Sequence, residues 1–231
     1  LFYHTSGAVQ LIPILTNISG ECTIVGSNRD DPGGDQIGRT MDKYHSLLEK
    51  TGVIVHREGQ KLIYRLSKLL PFDVEVFQKS YGESVMMLFA ALGRKGISRI
   101  RQVTQSTNFY DTITLLKKMG AQLSFEKNDL IVQGQSLLFP VDVSNMGDQH
   151  DLASWVAIAL TTESEISIEG VDFQQMQLQP LETFLQQINL NKIDLHQSLV
   201  NIPQISISHL LPANIIAADY PNFITEWQVL F

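Results

Sequence analysis

Apolar residues along the chain follow one pattern three times, and each copy predicts the same order of elements. A mostly apolar helical stretch comes first, and a short alternating strand follows it. An amphipathic helix comes next, in which Ile113, Leu116 and Met119 of the second copy fall at helical spacing. The helical stretches are 6–18, 83–92 and 152–160, the strands are 22–25, 97–103 and 166–171, and the amphipathic helices are 42–50, 110–119 and 181–188.

Each amphipathic helix is predicted to end at Gly52, Gly120 or Asn189, which are residue types suited to a left-handed C-terminal cap. Gly52 and Gly120 are 68 residues apart, and Gly120 and Asn189 are 69 apart. Two strands close each unit, most clearly at 122–125 and 130–133, which flank a polar turn. The pattern therefore predicts an α/β fold built from repeated βαβαββ-like units.

The first copy contains about eight residues more than the other two between its first turn and its helix cap. Gly20 and Gly52 are 32 residues apart, whereas the matching separation is 24 in each of the other copies. The excess lies between Val25 and Asp42, in a loop with several glycines, two arginines and three aspartates. Surface loops tolerate neutral insertions. This composition instead favours backbone N–H and guanidinium groups that bind an anionic ligand.

Composition narrows the possible functions. The 231 residues carry a net charge of −7, so nucleic acid is not expected as a partner, whereas small anions need only a few Arg and Lys side chains. No apolar run is long enough to cross a bilayer, and the first residues lack the basic region of a signal peptide. The single cysteine, Cys22, lies in an apolar run and is expected to be a buried strand residue. We expect a cytoplasmic protein without membrane contact.

Two segments carry a resemblance to a known family. The inserted loop reads Pro-Gly-Gly-Asp-Gln-Ile-Gly at 32–38, and the segment 220–228 reads Tyr-Pro-Asn-Phe-Ile-Thr-Glu-Trp-Gln. Both resemble the enolpyruvyl transferases that act on UDP-N-acetylglucosamine. The resemblance implies two domains, each an inside-out α/β barrel of three units. It also implies transfer of enolpyruvyl from phosphoenolpyruvate to the 3-hydroxyl of UDP-N-acetylglucosamine, the first committed step of peptidoglycan synthesis, without a cofactor or metal.

In that family the loop closes over the active site, and its usual cysteine is the general acid. That position is Asp35 in this sequence, so the resemblance implies that the Asp35 carboxyl donates the proton. A carboxylic acid can do so when its surroundings raise its pKa toward neutrality. The epoxide antibiotic fosfomycin alkylates the family's cysteine thiolate, so Asp35 implies resistance. The implied contacts to substrate in and after the loop are Gly34, Arg39, Thr40, Met41, Asp42 and Lys43.

The second matching segment places Glu226 where the family has an aspartate, the proposed base for the sugar hydroxyl. Glutamate is one methylene longer, and a displacement of about 1 Å affects catalysis strongly. The resemblance therefore implies Glu226 as the general base and Thr225 as a neighbouring substrate contact.

A weaker match lies at the start of the apolar helix of the second copy. It resembles the family's helix start that binds the uridine diphosphate, where a family lysine aligns with Gln78 and Lys79 is its neighbour. A helix N-terminus is a natural phosphate site, and an ordinary N-cap serine is the alternative interpretation. The implied contacts are Gln78, Lys79, Ser80, Tyr81 and Gly82.

Departures from the family pattern keep other functions open. The family's late arginines and its early Lys-Asn pair fall outside 1–231, and we expect a chain truncated at both ends. We predict two units of the loop-bearing domain at 1–138, a crossover at 139–150, and one unit plus the start of another from the second domain at 151–231. The alternative to an enzyme is a catalytically degenerate paralogue that binds a nucleotide sugar or a protein partner. The sister enzyme that acts on shikimate 3-phosphate is disfavoured by the inserted loop.

Overall fold

The computed structural model describes residues 6–25, 42–59, 61–135, 137–144, 147–172, 176, 178–188, 190, 194–196, 199–206 and 208. Contacts between residues divide the chain into two compact units, Leu1–Val143 and Ser144–Phe231. Within the described ranges, no helix is both long and apolar enough to cross a membrane.

The first unit holds two copies of the repeated element order, and the second unit holds one. The first copy consists of a 3-10 helix at Ser6–Leu11, α1 at Ile12–Ser19, β1 at Glu21–Val25, α2 at Asp42–Lys50, β2 at Val53–Glu58 and β3 at Lys61–Leu66. The second copy consists of β4 at Asp73–Glu75, a 3-10 helix at Phe77–Lys79, α3 at Tyr81–Leu92, β5 at Gly96–Arg101, α4 at Thr107–Lys118, β6 at Gln122–Glu126 and β7 at Asp129–Gly134. The third consists of α5 at Gln149–Thr161, β8 at Ile166–Glu169, α6 at Gln179–Gln187, β9 at Asp194–His196 and β10 at Leu199–Ile202.

The three copies share one strand order. The antiparallel neighbours run β1-β3-β2 in the first copy, β5-β7-β6 in the second and β8-β10-β9 in the third. In the second copy β4 lies parallel to β5, so that β4, α3 and β5 form a parallel crossover. The predicted α/β fold of repeated units is confirmed.

Two elements differ from the sequence prediction. The stretch at 6–18 begins as a 3-10 helix and becomes α-helical at Ile12, because Pro13 has no N–H and is tolerated only in the first turn of an α-helix. The apolar pattern also does not predict β4, in which Val74 alone is buried between exposed Asp73 and Glu75. Three residues are too few to show an alternation.

The predicted glycine caps are confirmed where the structure describes them. Gly52 has φ +85° and Gly120 has φ +105°, the left-handed backbone that residues with a Cβ rarely adopt. The third predicted cap, Asn189, lies outside the described residues.

The core of the first unit is centred on α3. Eight of its twelve residues are buried, and it packs against α1, α2, α4, β5 and β7. Asn17 at the end of α1 donates a hydrogen bond to the carbonyl of Ala90 in α3 at 3.0 Å, which fixes the ends of the two helices together. Cys22 on β1 belongs to the same core, as predicted, and burial raises the pKa of its thiol.

A buried arginine joins the two copies of the first unit. Arg94, in the turn between α3 and β5, is fully buried and donates through Nη1 to the carbonyls of Thr51 (2.6 Å), Lys68 (3.2 Å) and Leu70 (3.0 Å). Its guanidinium carbon lies 5.5 Å from the centroid of the Phe72 ring. Burial lowers the pKa of Arg94 to about 10. One side chain of the second copy therefore holds the end of α2 and the connection that follows β3.

We expect Arg94→Met to destabilise the first unit by about 2 kcal/mol, because three carbonyls lose a charged donor and only part of that loss is offset by the removal of a buried cation. Urea unfolding measures the change. The matched control is Lys95→Met, since Lys95 is the exposed neighbour of Arg94 in the same turn and its replacement should change stability by less than about 0.5 kcal/mol. Equal stability of the two variants would contradict the linking role of Arg94.

Candidate functional site

The structure describes one part of the predicted site. Asp42 and Lys43 begin α2, whereas Gln78 and Lys79 lie in the 3-10 helix before α3. Ser80, Tyr81 and Gly82 form the entrance to α3. The other predicted contacts lie outside the described residues: Gly34, Asp35, Arg39, Thr40, Met41, Thr225 and Glu226.

The two described segments are brought together by the packing of α2 on α3. A Cβ placed on Gly82 would lie 2.5 Å from the hydroxyl oxygen of Tyr44, so only glycine permits this approach of the tyrosine. Lys43, the neighbour of Tyr44, places its Nζ 4.2 Å from the centroid of the Phe77 ring. The starts of α2 and α3 therefore form one surface from residues that are distant in the sequence.

Ser80 is the N-cap of α3. Its backbone is extended, and its hydroxyl accepts a hydrogen bond from the N–H of Glu83 at 3.5 Å. The Ser84 hydroxyl donates to the Ser80 carbonyl at 2.7 Å, which fixes the cap from the other side. The N-cap interpretation is thus confirmed. It is compatible with a phosphate site, because the first N–H groups of any α-helix have no acceptor inside the helix.

Glu83 is a site residue that the sequence reasoning missed. Its carboxylate is buried, with 3% of the residue exposed, and Oε2 accepts a hydrogen bond from the N–H of Phe77 at 2.9 Å. Burial raises the pKa of this carboxyl, while the Phe77 hydrogen bond and the positive charge of Lys43 oppose the rise. The signal in the sequence was the Ser80-x-x-Glu83 pattern of a capping box.

The turn before α3 has an unusual backbone. Lys79 is exposed and has φ +52°, a left-handed conformation that is uncommon for a residue with a side chain. The N–H of the next residue, Ser80, donates to the Phe77 carbonyl at 3.1 Å and closes the turn. Such conformations are concentrated at ligand sites, where the surrounding contacts maintain them.

A second polar cleft of about 420 Å³ lies at the β6–β7 turn and is lined by Arg99, Gln102, Glu126, Lys127, Asn128 and Asp129. Arg99 forms ion pairs with Glu126 at 3.0 Å and with Asp129 at 2.8 Å. Its charges therefore balance one another within the cleft. Among the residues that the structure describes, no cluster of His, Cys, Asp and Glu side chains could hold a metal ion.

Solved structures identify the class of protein that this fold defines. The enolpyruvyl transferase NikO from Streptomyces tendae matches 86% of this chain and 47% of its own, with a TM-score of 0.73 and 16% identity. EPSP synthase from Acinetobacter baumannii matches 96% of this chain and 51% of its own, with a TM-score of 0.67 and 15% identity. The repeated units therefore have the fold of the enolpyruvyl transferases.

Sequence comparison shows the family. The family profile described as EPSP synthase (3-phosphoshikimate 1-carboxyvinyltransferase) matches residues 19–231. The UDP-N-acetylglucosamine 1-carboxyvinyltransferase of Mycobacterium bovis is 29% identical over 149 residues, which are 64% of this chain and 36% of that protein. The protein of the same name from Wolbachia pipientis is 25% identical over 201 residues, 85% of this chain and 46% of that protein. The chain belongs to this family of carboxyvinyl (enolpyruvyl) transferases, and it spans less than half the length of these two relatives.

We expect Gly82→Ala to destabilise the first unit by about 1–3 kcal/mol, because the added methyl group would overlap the Tyr44 hydroxyl. Tyr44→Phe removes that oxygen, and the next ring atom lies 3.4 Å from the added carbon. In the Tyr44→Phe background, Gly82→Ala should therefore be neutral or slightly stabilising, since alanine is the better helix former. Urea unfolding of the double-mutant cycle measures the coupling. An equal cost of Gly82→Ala in both backgrounds would show that Tyr44 does not set this requirement.

Proposed function

We propose that this chain carries part of an enolpyruvyl transferase that uses phosphoenolpyruvate and UDP-N-acetylglucosamine in peptidoglycan synthesis. The observation that carries the proposal is the meeting of two predicted contact segments, at the start of α2 and at the start of α3. The names of the curated relatives support the choice of substrate. No cofactor or metal takes part in this proposal.

In the proposed site, the entrance to α3 receives the diphosphate of the nucleotide sugar. The N-terminus of α3 supplies the positive end of a helix dipole and N–H donors. Lys43 supplies an ammonium beside it, since its Nζ lies over the ring of Phe77 at the same entrance. This lysine offsets the loss of the family lysine at Gln78, and the exposed Lys79 adds a second cation. Tyr81, 40% exposed, lies in the first turn of α3 as a further contact.

The proposed chemistry assigns two carboxyl groups opposite roles. Asp35 donates a proton to phosphoenolpyruvate as general acid, and Glu226 accepts the proton of the sugar 3-hydroxyl as general base. A raised pKa at Asp35 and an ionised Glu226 are the states that these roles require. Gly34, Arg39, Thr40, Met41, Asp42 and Thr225 are the remaining proposed substrate contacts.

We also propose the domain assignment that the sequence suggests, with a crossover at 139–150 between residues 1–138 and 151–231. The division of contacts after Val143 supports a boundary in this segment. A cytoplasmic location follows from the proposed substrates.

A nucleotide-sugar-binding paralogue without catalysis is the second candidate. Two observations favour it: Gln78 replaces the cation that the resemblance leads one to expect, and the buried Glu83 carboxylate adds negative charge at the same entrance. This candidate predicts binding of UDP-N-acetylglucosamine without release of phosphate from phosphoenolpyruvate.

Phosphate release tests the enzyme. We expect the complete gene product to release phosphate from phosphoenolpyruvate only when UDP-N-acetylglucosamine is present, and Asp35→Ala to lower the rate by about a hundredfold or more, since a general acid contributes that much. Asp31→Ala, in the same loop, is the matched control and should retain the rate. Asp35→Cys should keep activity and become sensitive to fosfomycin. Full activity in Asp35→Ala would refute the catalytic role, and release that depends on shikimate 3-phosphate would identify the sister reaction instead.

A further inference from the structure

Glu83 lies at the centre of the contacts at the entrance to α3. Its own N–H is bound by the Ser80 hydroxyl, and its side chain turns back to accept the N–H of Phe77 at 2.9 Å. With 3% of the residue exposed, the carboxylate is withdrawn from solvent. A buried carboxylate in this position attracts any cation nearby more strongly than an exposed one does.

Lys43 is the cation whose charge acts on this carboxylate. Its Nζ lies 4.2 Å from the centroid of the Phe77 ring, and the backbone of Phe77 is the group that Glu83 binds. The ring and the carboxylate are therefore fixed to one another, and both attract the same ammonium. Lys43 is the lysine that the proposed function assigns to the diphosphate.

We propose that Glu83 is an internal competitor for Lys43, so that an anionic ligand at the entrance to α3 must draw the Lys43 ammonium away from the Glu83 carboxylate. The inference rests on the proposed function only for the place where the ligand binds. Because a carboxylate paired with Lys43 cancels part of its charge, Glu83 lowers the affinity of this entrance for phosphate groups. Glu83 thereby determines how much negative charge a ligand needs in order to bind.

Replacement of Glu83 by glutamine tests the competition. The glutamine oxygen can still accept the Phe77 N–H, but the negative charge is gone. With UDP as the probe in isothermal titration, we expect Glu83→Gln to bind about fivefold more tightly than wild type, and the gain to disappear in a Lys43→Met background. Glu75→Gln, an exposed carboxylate on β4, is the matched control and should change the affinity little. Unchanged or weaker binding in Glu83→Gln, or an equal gain without Lys43, would overturn the inference.

A measurement without ligand separates this inference from the proposed function. The Phe77 ring current should shift the ε-methylene protons of Lys43 upfield in NMR spectra, and Phe77→Leu should abolish the shift and so assign it. We expect Glu83→Gln to move the signal most of the way to the ordinary lysine position. An unchanged signal would mean that Glu83 holds only the backbone turn, and would overturn the inference.

The two failures look different in the titration. Binding of UDP by Glu83→Gln but not by wild type would contradict the proposed function and support the competition. Equal binding by both proteins would overturn the competition and leave the proposed function intact.

Discussion

The burial of α3 is the constraint on which the first unit depends. Eight of its twelve residues are withdrawn from solvent, so the helix is apolar on more than one face and cannot be covered by its own copy alone. It needs α1 and α2 of the first copy as well as α4 of the second. The repeat is therefore a unit of sequence rather than of stability. Arg94 adds a polar link to this packing, since it reaches from the end of α3 to Thr51 at the end of α2.

The same constraint produces the candidate site. Because α2 must cover α3, the first residues of the two helices meet, and the small volume of Gly82 lets Tyr44 come close. Arg94 holds the other end of α2 through Thr51, while Lys43 lies against Phe77 at the beginning. The position of a proposed ligand contact thus follows from helix packing at both ends of one short helix. A site built on packed helices is more rigid than one built on loops alone.

The sequence predicts the parts of the fold that depend on local patterns. Helical periodicity located α2 and α4, and the glycines Gly52 and Gly120 marked helix ends because a left-handed backbone favours that residue type. Tertiary contacts were beyond the reach of a local pattern. The approach of Tyr44 to Gly82 depends on how two helices pack, and no spacing in the sequence encodes it.

Glu83 shows why the prediction of the site was incomplete. A capping box predicts that the glutamate accepts the N–H of the N-cap residue, Ser80. That N–H already donates to the Phe77 carbonyl and closes the 3-10 turn, so the carboxylate binds the N–H of Phe77 instead. The displaced carboxylate comes under the influence of Lys43, which is 40 residues away in the sequence.

The result is an entrance in which a negative side chain occupies the position favoured by an anion at a helix N-terminus. Such a carboxylate stabilises the empty helix start, because it satisfies a backbone donor and interacts favourably with the helix dipole. It also opposes a phosphate group at the same place. Stability of the ligand-free protein and affinity for an anion are therefore in conflict at Glu83, and Lys43 is the charge that both sides share. A chain that binds a nucleotide sugar here needs further cations to outweigh one carboxylate, and the arginines flanking the inserted loop, Arg29 and Arg39, are the nearest such residues in sequence to α2.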